Sequence, residues 1–150
     1  MAQVVGLVSA EGRENPSTTS TYGVGEIISH AIEHGCNEIF IGLGGSCTND
    51  CGVGAASALG TVFKNKNGEE FIPVGKNLND IEYIDISKTL EKLKNCKITA
   101  MCDIDNPMYG ENGAAFVFAP QKGADENMVK MLDNNLRALS EKIKKNLNKD

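Results

Sequence analysis

The stretch Ile41 to Asp50, IGLGGSCTND, carries an apolar run, Ile39-Phe40-Ile41-Gly42-Leu43, into two adjacent glycines and then into hydroxyl, amide and carboxylate side chains. It reads as a strand delivering the backbone into a polar turn. Gly44 and Gly45 let the chain approach a ligand closely, and successive N–H groups leading into a helix seat phosphate or carboxylate oxygens. Ser46, Thr48 and Asn49 add side-chain donors, and Asp50 adds a carboxylate. A tight strand-to-helix turn with incidental polar residues has the same composition, so the motif alone does not separate the two readings.

Working outward, helix and strand patterns alternate with short connections. Before the strand, Val24, Ile27, Ile28, Ala31 and Ile32 fall at helical spacing in Gly23 to His34, and Gly35 supplies a stop. After the turn, Gly52 to Leu59 is small and apolar, as in a helix packed closely on a sheet. Thr61 to Lys64 and Glu70 to Pro73 flank Asn65-Lys66-Asn67-Gly68, an Asn-Gly hairpin signal. Glu38 to Leu43 is predicted as a buried strand, a helix is predicted around Ser87 to Asn95, and Lys97 to Asp103 is predicted as a second buried strand. From Asp125, a capping residue, Val129, Leu132, Leu136, Leu139, Ile143 and Leu147 repeat at steps of three and four and predict a long amphipathic helix. The first twenty-odd residues lack a period and read as a loop. The pattern predicts a single α/β domain over residues 1–150, layered, with a mixed, mostly parallel sheet flanked by helices and the hairpin as its antiparallel part.

A second polar cluster follows the second predicted strand, CDIDNPMYG at Cys102 to Gly110. Asp103 and Asp105 alternate on an extended backbone to the same side, and Asn106-Pro107 forces a turn. Paired carboxylates at a strand end suit a hard cation such as magnesium, which reaches enzymes through one or two carboxylates plus substrate phosphates. Asp50 joins them if the strands are neighbours. Turn capping by Asp and Asn is the competing account of either cluster, but two such turns at strand carboxyl ends fall where open α/β sheets bind ligands. A third element, Ala119 to Asp125, offers Lys122 against anionic charge and Gly123 for backbone access, ahead of a helix N-terminus. The hydroxyls of Ser17, Thr18, Thr19, Ser20 and Thr21 suit a polar pocket or a loop.

Composition bounds the function. The chain has 150 residues, 41% hydrophobic and 23% charged, with net charge −5 and pI near 5.1. That balance argues against general nucleic-acid binding, which needs a basic face, and favours small-molecule partners. No run suits a membrane span or a signal peptide, which makes a cytoplasmic address the expectation. Cys36, Cys47, Cys51, Cys96 and Cys102 form an odd set without a C-x-x-C pair, so reduced thiols are expected. His30 and His34 have metal-pair spacing but no third-ligand pattern beside them, and read as a solvated helix end.

Three long motifs in order, NPSTTSTYGVGEII at Asn15 to Ile28, IGLGGSCTND with the following GVGAASALG, and CDIDNPMYGENGAAFVFAPQKGAD at Cys102 to Asp125, resemble the bacterial glycerate kinase family of the glycerate 2-kinase type. The resemblance runs from about Glu14 to the end. It implies a cytoplasmic phosphotransferase that uses magnesium and moves the terminal phosphoryl group of ATP onto D-glycerate, giving 2-phosphoglycerate. On that basis Gly44, Gly45, Ser46, Thr48, Asn49 and Asn106 cradle phosphate or glycerate oxygens, with Thr19, Ser20 and Thr21 helping. Asp50, Asp103 and Asp105 hold magnesium or accept the hydroxyl proton, Asp50 being first choice as base, and Lys122 counters phosphate charge. Asp50→Asn is then expected to abolish turnover with little change in melting temperature.

The chain also departs from the family. Members are far longer, with an opening Asp-Ser-Phe-Lys-Gly-like segment and a later Pro-Gly-Ala-Gly-Ala-Ala-Gly-Gly-Leu-Gly-like stretch that have no counterpart in these residues. The resemblance therefore covers the central portion of the enzyme, expected to be inactive alone and to self-associate through the surface where the rest docks. Cys51 stands where relatives carry glycine. Two rival functions remain open: a non-catalytic ligand-binding module, and a dinucleotide-binding oxidoreductase domain, the latter weakened because Gly42, Gly44, Gly45, Gly52 and Gly54 give no G-x-G-x-x-G.

Overall fold

The computed structural model describes residues 1–7, 12 and 14–148. In chain order the elements are α1 (Ala2–Val5), α2 (Tyr22–Glu33), β1 (Glu38–Gly42), α3 (Val53–Ala58), β2 (Val62–Lys64), β3 (Glu70–Phe71), β4 (Tyr83–Asp85), α4 (Ser87–Leu93), β5 (Lys97–Met101), α5 (Ala114–Phe118) and α6 (Glu126–Leu147), with 3₁₀ turns at Gly75–Asp80 and Pro120–Lys122. Among the described residues no helix is long and apolar enough to cross a membrane.

Asp125 starts α6 as expected, its carboxylate accepting the Met128 N–H at 2.8 Å. The apolar stripe of α6, Val129, Leu132, Leu136 and Leu139, is buried with Val53, Phe63, Leu78, Ile81, Ile84, Ala115 and Ala119 in the main core. Each fully buried leucine contributes roughly 2 kcal/mol. A second core joins Val24 and Ile28 of α2 to Leu59, with Ile39, Ile41 and Ile98 from the strands against it. Helices α2 and α3 meet at Gly25, where a Cβ would lie 2.4 Å from the Ala55 carbonyl oxygen.

The strands divide into two sheets instead of one mixed sheet. β1 and β5 pair in parallel, Glu38 opposite Lys97 and Gly42 opposite Met101, while β3, β2 and β4 form an antiparallel sheet in that order. The α/β layering stands, and the hairpin is antiparallel as expected. Its loop is held by Asn65, whose side-chain oxygen accepts the N–H groups of Asn67 and Glu69. Three expectations are corrected. β1 and β5 are not buried strands, since neither has a residue in the buried class. β5 stops at Met101, so Asp103 and Asp105 lie in the following loop. The opening residues include the short helix α1, and β4 is a strand that the apolar periods did not single out.

Candidate active site

The parallel register decides where the polar turns sit. With Gly42 opposite Met101, and the Leu43 N–H donating to the Met101 carbonyl at 3.2 Å, the glycine turn and the Cys102 loop leave the same end of the strand pair. That is the ligand-binding end of an α/β sheet. The turn descends from an exposed tip at Leu43, Gly44 and Gly45 to a buried polar floor at Cys47, Thr48, Asn49 and Asp50. Gly45 takes φ +71°, and a Cβ there would press on Ala2 at 3.1 Å. The first residues cover one side of this turn: the Met1 ammonium donates to the Gly42 carbonyl at 3.0 Å, Leu7 N–H to Gly45, and Cys47 N–H to Val5 at 2.7 Å. The Cys47 N–H is thus already used.

Lys122 reaches this floor from the 3₁₀ turn Pro120–Lys122. Its Nζ donates to the Thr48 carbonyl at 2.6 Å and stands 3.5 Å from Ser46 Oγ, and the residue is only 8% exposed. Desolvation holds the ammonium below the usual lysine range, while the negative character of Cys47 and Asp50 pushes it back up. Gly123, at φ +89°, ends this 3₁₀ turn so close to Glu14 that a Cβ would sit 2.8 Å from the Glu14 carbonyl oxygen. Beside Thr48, the Asn49 carboxamide is buried, and its Nδ2 is a donor without a partner among the described residues. A buried donor left unpaired costs about 1–3 kcal/mol, a cost that an anionic oxygen would relieve.

Asp50 is 1% exposed. Its Oδ2 accepts the Thr21 N–H and the Thr21 hydroxyl, both at 2.8 Å, and the Gly54 N–H at 3.3 Å; Oδ1 accepts the Gly52 N–H at 3.2 Å. The carboxylate therefore joins the Asn15 to Thr21 loop to the start of α3. The expectation of Asp50 as base and magnesium ligand thus falls on a carboxylate that four protein donors already engage. The Thr21 hydroxyl is used as well, donating to Asp50 and accepting the Ala55 N–H at 2.9 Å. Ser20 Oγ accepts the Tyr22 N–H at 3.1 Å. Thr19 Oγ1 makes contacts of 2.7 Å with the Cys47 carbonyl and 3.0 Å with that of Asn15. These hydroxyls build the wall of the site more than they face into it.

Asp103 and Asp105 are exposed. Asn106, whose Nδ2 donates to the Asn112 carbonyl at 3.0 Å, closes their loop. Among the described residues no group of three or more His, Cys, Asp or Glu side chains converges as a metal site, so Asp50, Asp103 and Asp105 are not assembled into one. Magnesium commonly takes one or two carboxylates plus substrate phosphates, a donor type that the exposed Asp103 and Asp105 supply.

Two positioning residues escaped the sequence reading. Asn15 gathers the hydroxyl loop, its side-chain oxygen accepting the Ser17 N–H and Oγ–H while its carbonyl accepts the Thr18 and Thr19 N–H groups. Asp133, buried on α6, accepts the Gly110 N–H at 2.7 Å, and Arg137 beside it lies over the Tyr109 ring at 4.6 Å. The only signal for Asp133 was an acid next to Leu132 on the apolar stripe of α6. Cys51 takes φ +52°, directly before Gly52 at φ +77°. Although the residue reaches solvent, its thiol is pushed up to about 11, by desolvation first and by Asp50 second. His30 and His34 meet at the exposed end of α2, their ring centroids 4.1 Å apart and their planes tilted by 41°.

On this α/β scaffold a glycine turn and an exposed carboxylate loop leave the carboxyl end of two parallel strands, and a buried lysine meets the turn at Ser46 and Thr48. The model of the Glycerate kinase family matches residues 1–150. Glycerate kinase of Bacillus cereus is 48% identical over 98% of this chain and 39% of its own length, and glycerate 2-kinase of Escherichia coli K12 is 48% identical over 96% and 38%. The crystal structure of a Salmonella typhimurium LT2 protein described as glycerate kinase 2 superposes with a TM-score of 0.93 at 38% identity, over 99% of this chain and 40% of that one. This chain belongs to the glycerate kinase family. It spans about 40% of the length of these relatives.

Proposed function

We propose that this chain forms the oxyanion-gripping part of a cytoplasmic kinase that transfers the terminal phosphoryl group of ATP to D-glycerate, giving 2-phosphoglycerate. The observation that carries the reading is the Lys122 ammonium, buried against Thr48 and Ser46 at the glycine turn of a glycerate kinase family chain. Phosphoryl transfer asks a protein mainly to position groups and to stabilise charge on the transferring oxygens. Lys122 supplies fixed positive charge, worth most where water is excluded. The Asn49 Nδ2 and the Gly44, Gly45 and Ser46 N–H groups supply donors for the oxygens of phosphate or glycerate. Asp103 and Asp105 keep free lone pairs, to hold magnesium and to accept the proton of the attacking hydroxyl. Magnesium, when bound, would neutralise phosphate charge. Asp50, Thr21 and Asn15 hold the walls.

The test is a hybrid in which this chain replaces the matching middle of the Bacillus cereus relative, supplied with D-glycerate and Mg-ATP and followed by phosphorus NMR. The expected products are ADP and 2-phosphoglycerate. A folded hybrid that binds D-glycerate but forms no phosphoester would overturn the reading and leave a ligand-binding module.

A further inference from the structure

The end of α2 carries coordination chemistry that phosphoryl transfer leaves unused. His30 and His34 stand four residues apart there, and both are exposed. At that spacing two helical side chains lie on one face, one above the other. Their ring centroids are 4.1 Å apart and the planes are tilted by 41°, so the two imidazoles already meet. The pair precedes the amino end of β1, whereas the glycine turn follows its carboxyl end.

A hydrogen bond decides which nitrogen of His34 is bare. Its Nδ1 lies 2.9 Å from the His30 carbonyl oxygen. A carbonyl can only accept, so Nδ1 holds the proton and the neutral ring keeps its lone pair on Nε2. Fixing one ring nitrogen on a carbonyl so that the other faces a metal is the usual arrangement of a ligating histidine. The His30 ring makes no hydrogen bond among the described residues, so either of its nitrogens is available. Two imidazoles on one ion, at metal–nitrogen distances of about 2.0–2.1 Å, set their ring centres roughly 4.5–5.2 Å apart. The observed rings need to open by only about 0.5–1 Å, within the rotamer freedom of exposed side chains.

We propose that His30 and His34 form a surface site for a divalent transition-metal ion of the zinc, nickel and copper class. Imidazole nitrogen suits those ions, whereas magnesium takes oxygen ligands, so the site is separate from any magnesium held with a substrate. The ion's charge falls at the carboxyl end of a 12-residue helix, where the macrodipole favours cations. Among the described residues no third His, Cys, Asp or Glu converges with the pair. Glu33, between them in sequence, is turned to Ser29 Oγ at 2.9 Å and to Lys92 Nζ at 3.6 Å. Water therefore completes the coordination shell, and the ion stays exchangeable. Bound there, it clamps the last turn of α2 between His30 and the C-cap His34. Neither histidine has a part in the phosphoryl transfer proposed above.

Calorimetry of the chain, without a histidine tag and in a non-chelating buffer with a phosphine reductant, tests this with Ni²⁺ and Zn²⁺ as probes. One ion per chain is expected, with a Kd on the order of 10 µM. His30→Gln and His34→Gln should each weaken it roughly tenfold or more, while Cys36→Ser, at the neighbouring exposed thiol, should leave it unchanged. Both histidines are exposed, so neither variant should move the melt in chelator by more than about 2 °C. Ni²⁺ at about a hundred times its Kd should raise the parent midpoint by roughly 5–10 °C, a shift that both histidine variants lose. Long-range ¹⁵N NMR of the parent should show His34 Nδ1 protonated and its Nε2 resonance displaced by Zn²⁺. Four results would overturn the proposal: no binding below about 1 mM, a histidine variant that binds within about twofold of the parent, loss of binding in Cys36→Ser, or an Nε2 resonance that Zn²⁺ leaves in place.

Discussion

Replacing Asp50 with asparagine tests what this carboxylate is for. Read as a general base, its loss stops turnover and leaves stability alone. The geometry reverses the second half of that expectation. Four donors converge on the carboxylate, three of them on Oδ2. The least costly arrangement of an amide keeps its oxygen toward Thr21 and Gly54 and turns its NH2 onto the Gly52 N–H. Three charge-assisted hydrogen bonds become neutral ones, at about 0.5 kcal/mol each, and the amide NH2 faces the part-buried Gly52 N–H at about 1–2 kcal/mol. The sum is near 3 kcal/mol. A domain of this size shifts by about 2–4 °C per kcal/mol, so the midpoint should fall by roughly 6–12 °C. Circular dichroism melts and urea titrations of the parent and Asp50→Asn chains measure this directly. A melting temperature within about 1 °C of the parent would refute the assignment of Asp50 as the tie between the hydroxyl loop and α3.

Lys122→Met should abolish measurable binding of D-glycerate in calorimetry. It should also change the pH dependence of stability. Because burial lowers the folded pKa of Lys122 below its unfolded value, the charged lysine opposes folding below that folded pKa, and the opposition fades as pH rises through it. Urea midpoints of the parent relative to Lys122→Met should therefore improve toward alkaline pH; a constant difference would contradict the burial. Cys51→Gly removes a side chain from a left-handed backbone position and should raise stability by about 0.5–1 kcal/mol after the entropy of the added glycine, read as a higher urea midpoint. Gly25→Ala forces a methyl into the α2–α3 contact and should cost about 1–3 kcal/mol, with the melt again as readout.

The helical periods of α2 and α6, the Asp125 cap, the Asn-Gly hairpin and the polar turns after β1 and β5 were all legible in the sequence, because each is fixed by residues close together in the chain. The strand β4 was not, since Tyr83 to Asp85 is too short to show a period. The exposure of β1 and β5 was hidden for a different reason. An apolar run looks the same whether both faces are covered by its own chain or one is left open. Within the site, the turn's place at a strand end was readable in the sequence, but the surroundings of Asp50 were not. Its meaning depends on Thr21, a partner 29 positions upstream. The part played by Asp133 was hidden likewise, because the Gly110 N–H it accepts lies 23 positions away.

The link from Lys122 to the Thr48 carbonyl spans 74 residues, and that separation has a consequence for how the protein comes into being. Closing so wide a loop costs chain entropy before any contact repays it, so this ammonium arrives late in folding. As the chain leaves the ribosome, its glycine bend emerges long before the cation that completes it. Until then, the Thr48 carbonyl waits without its lysine.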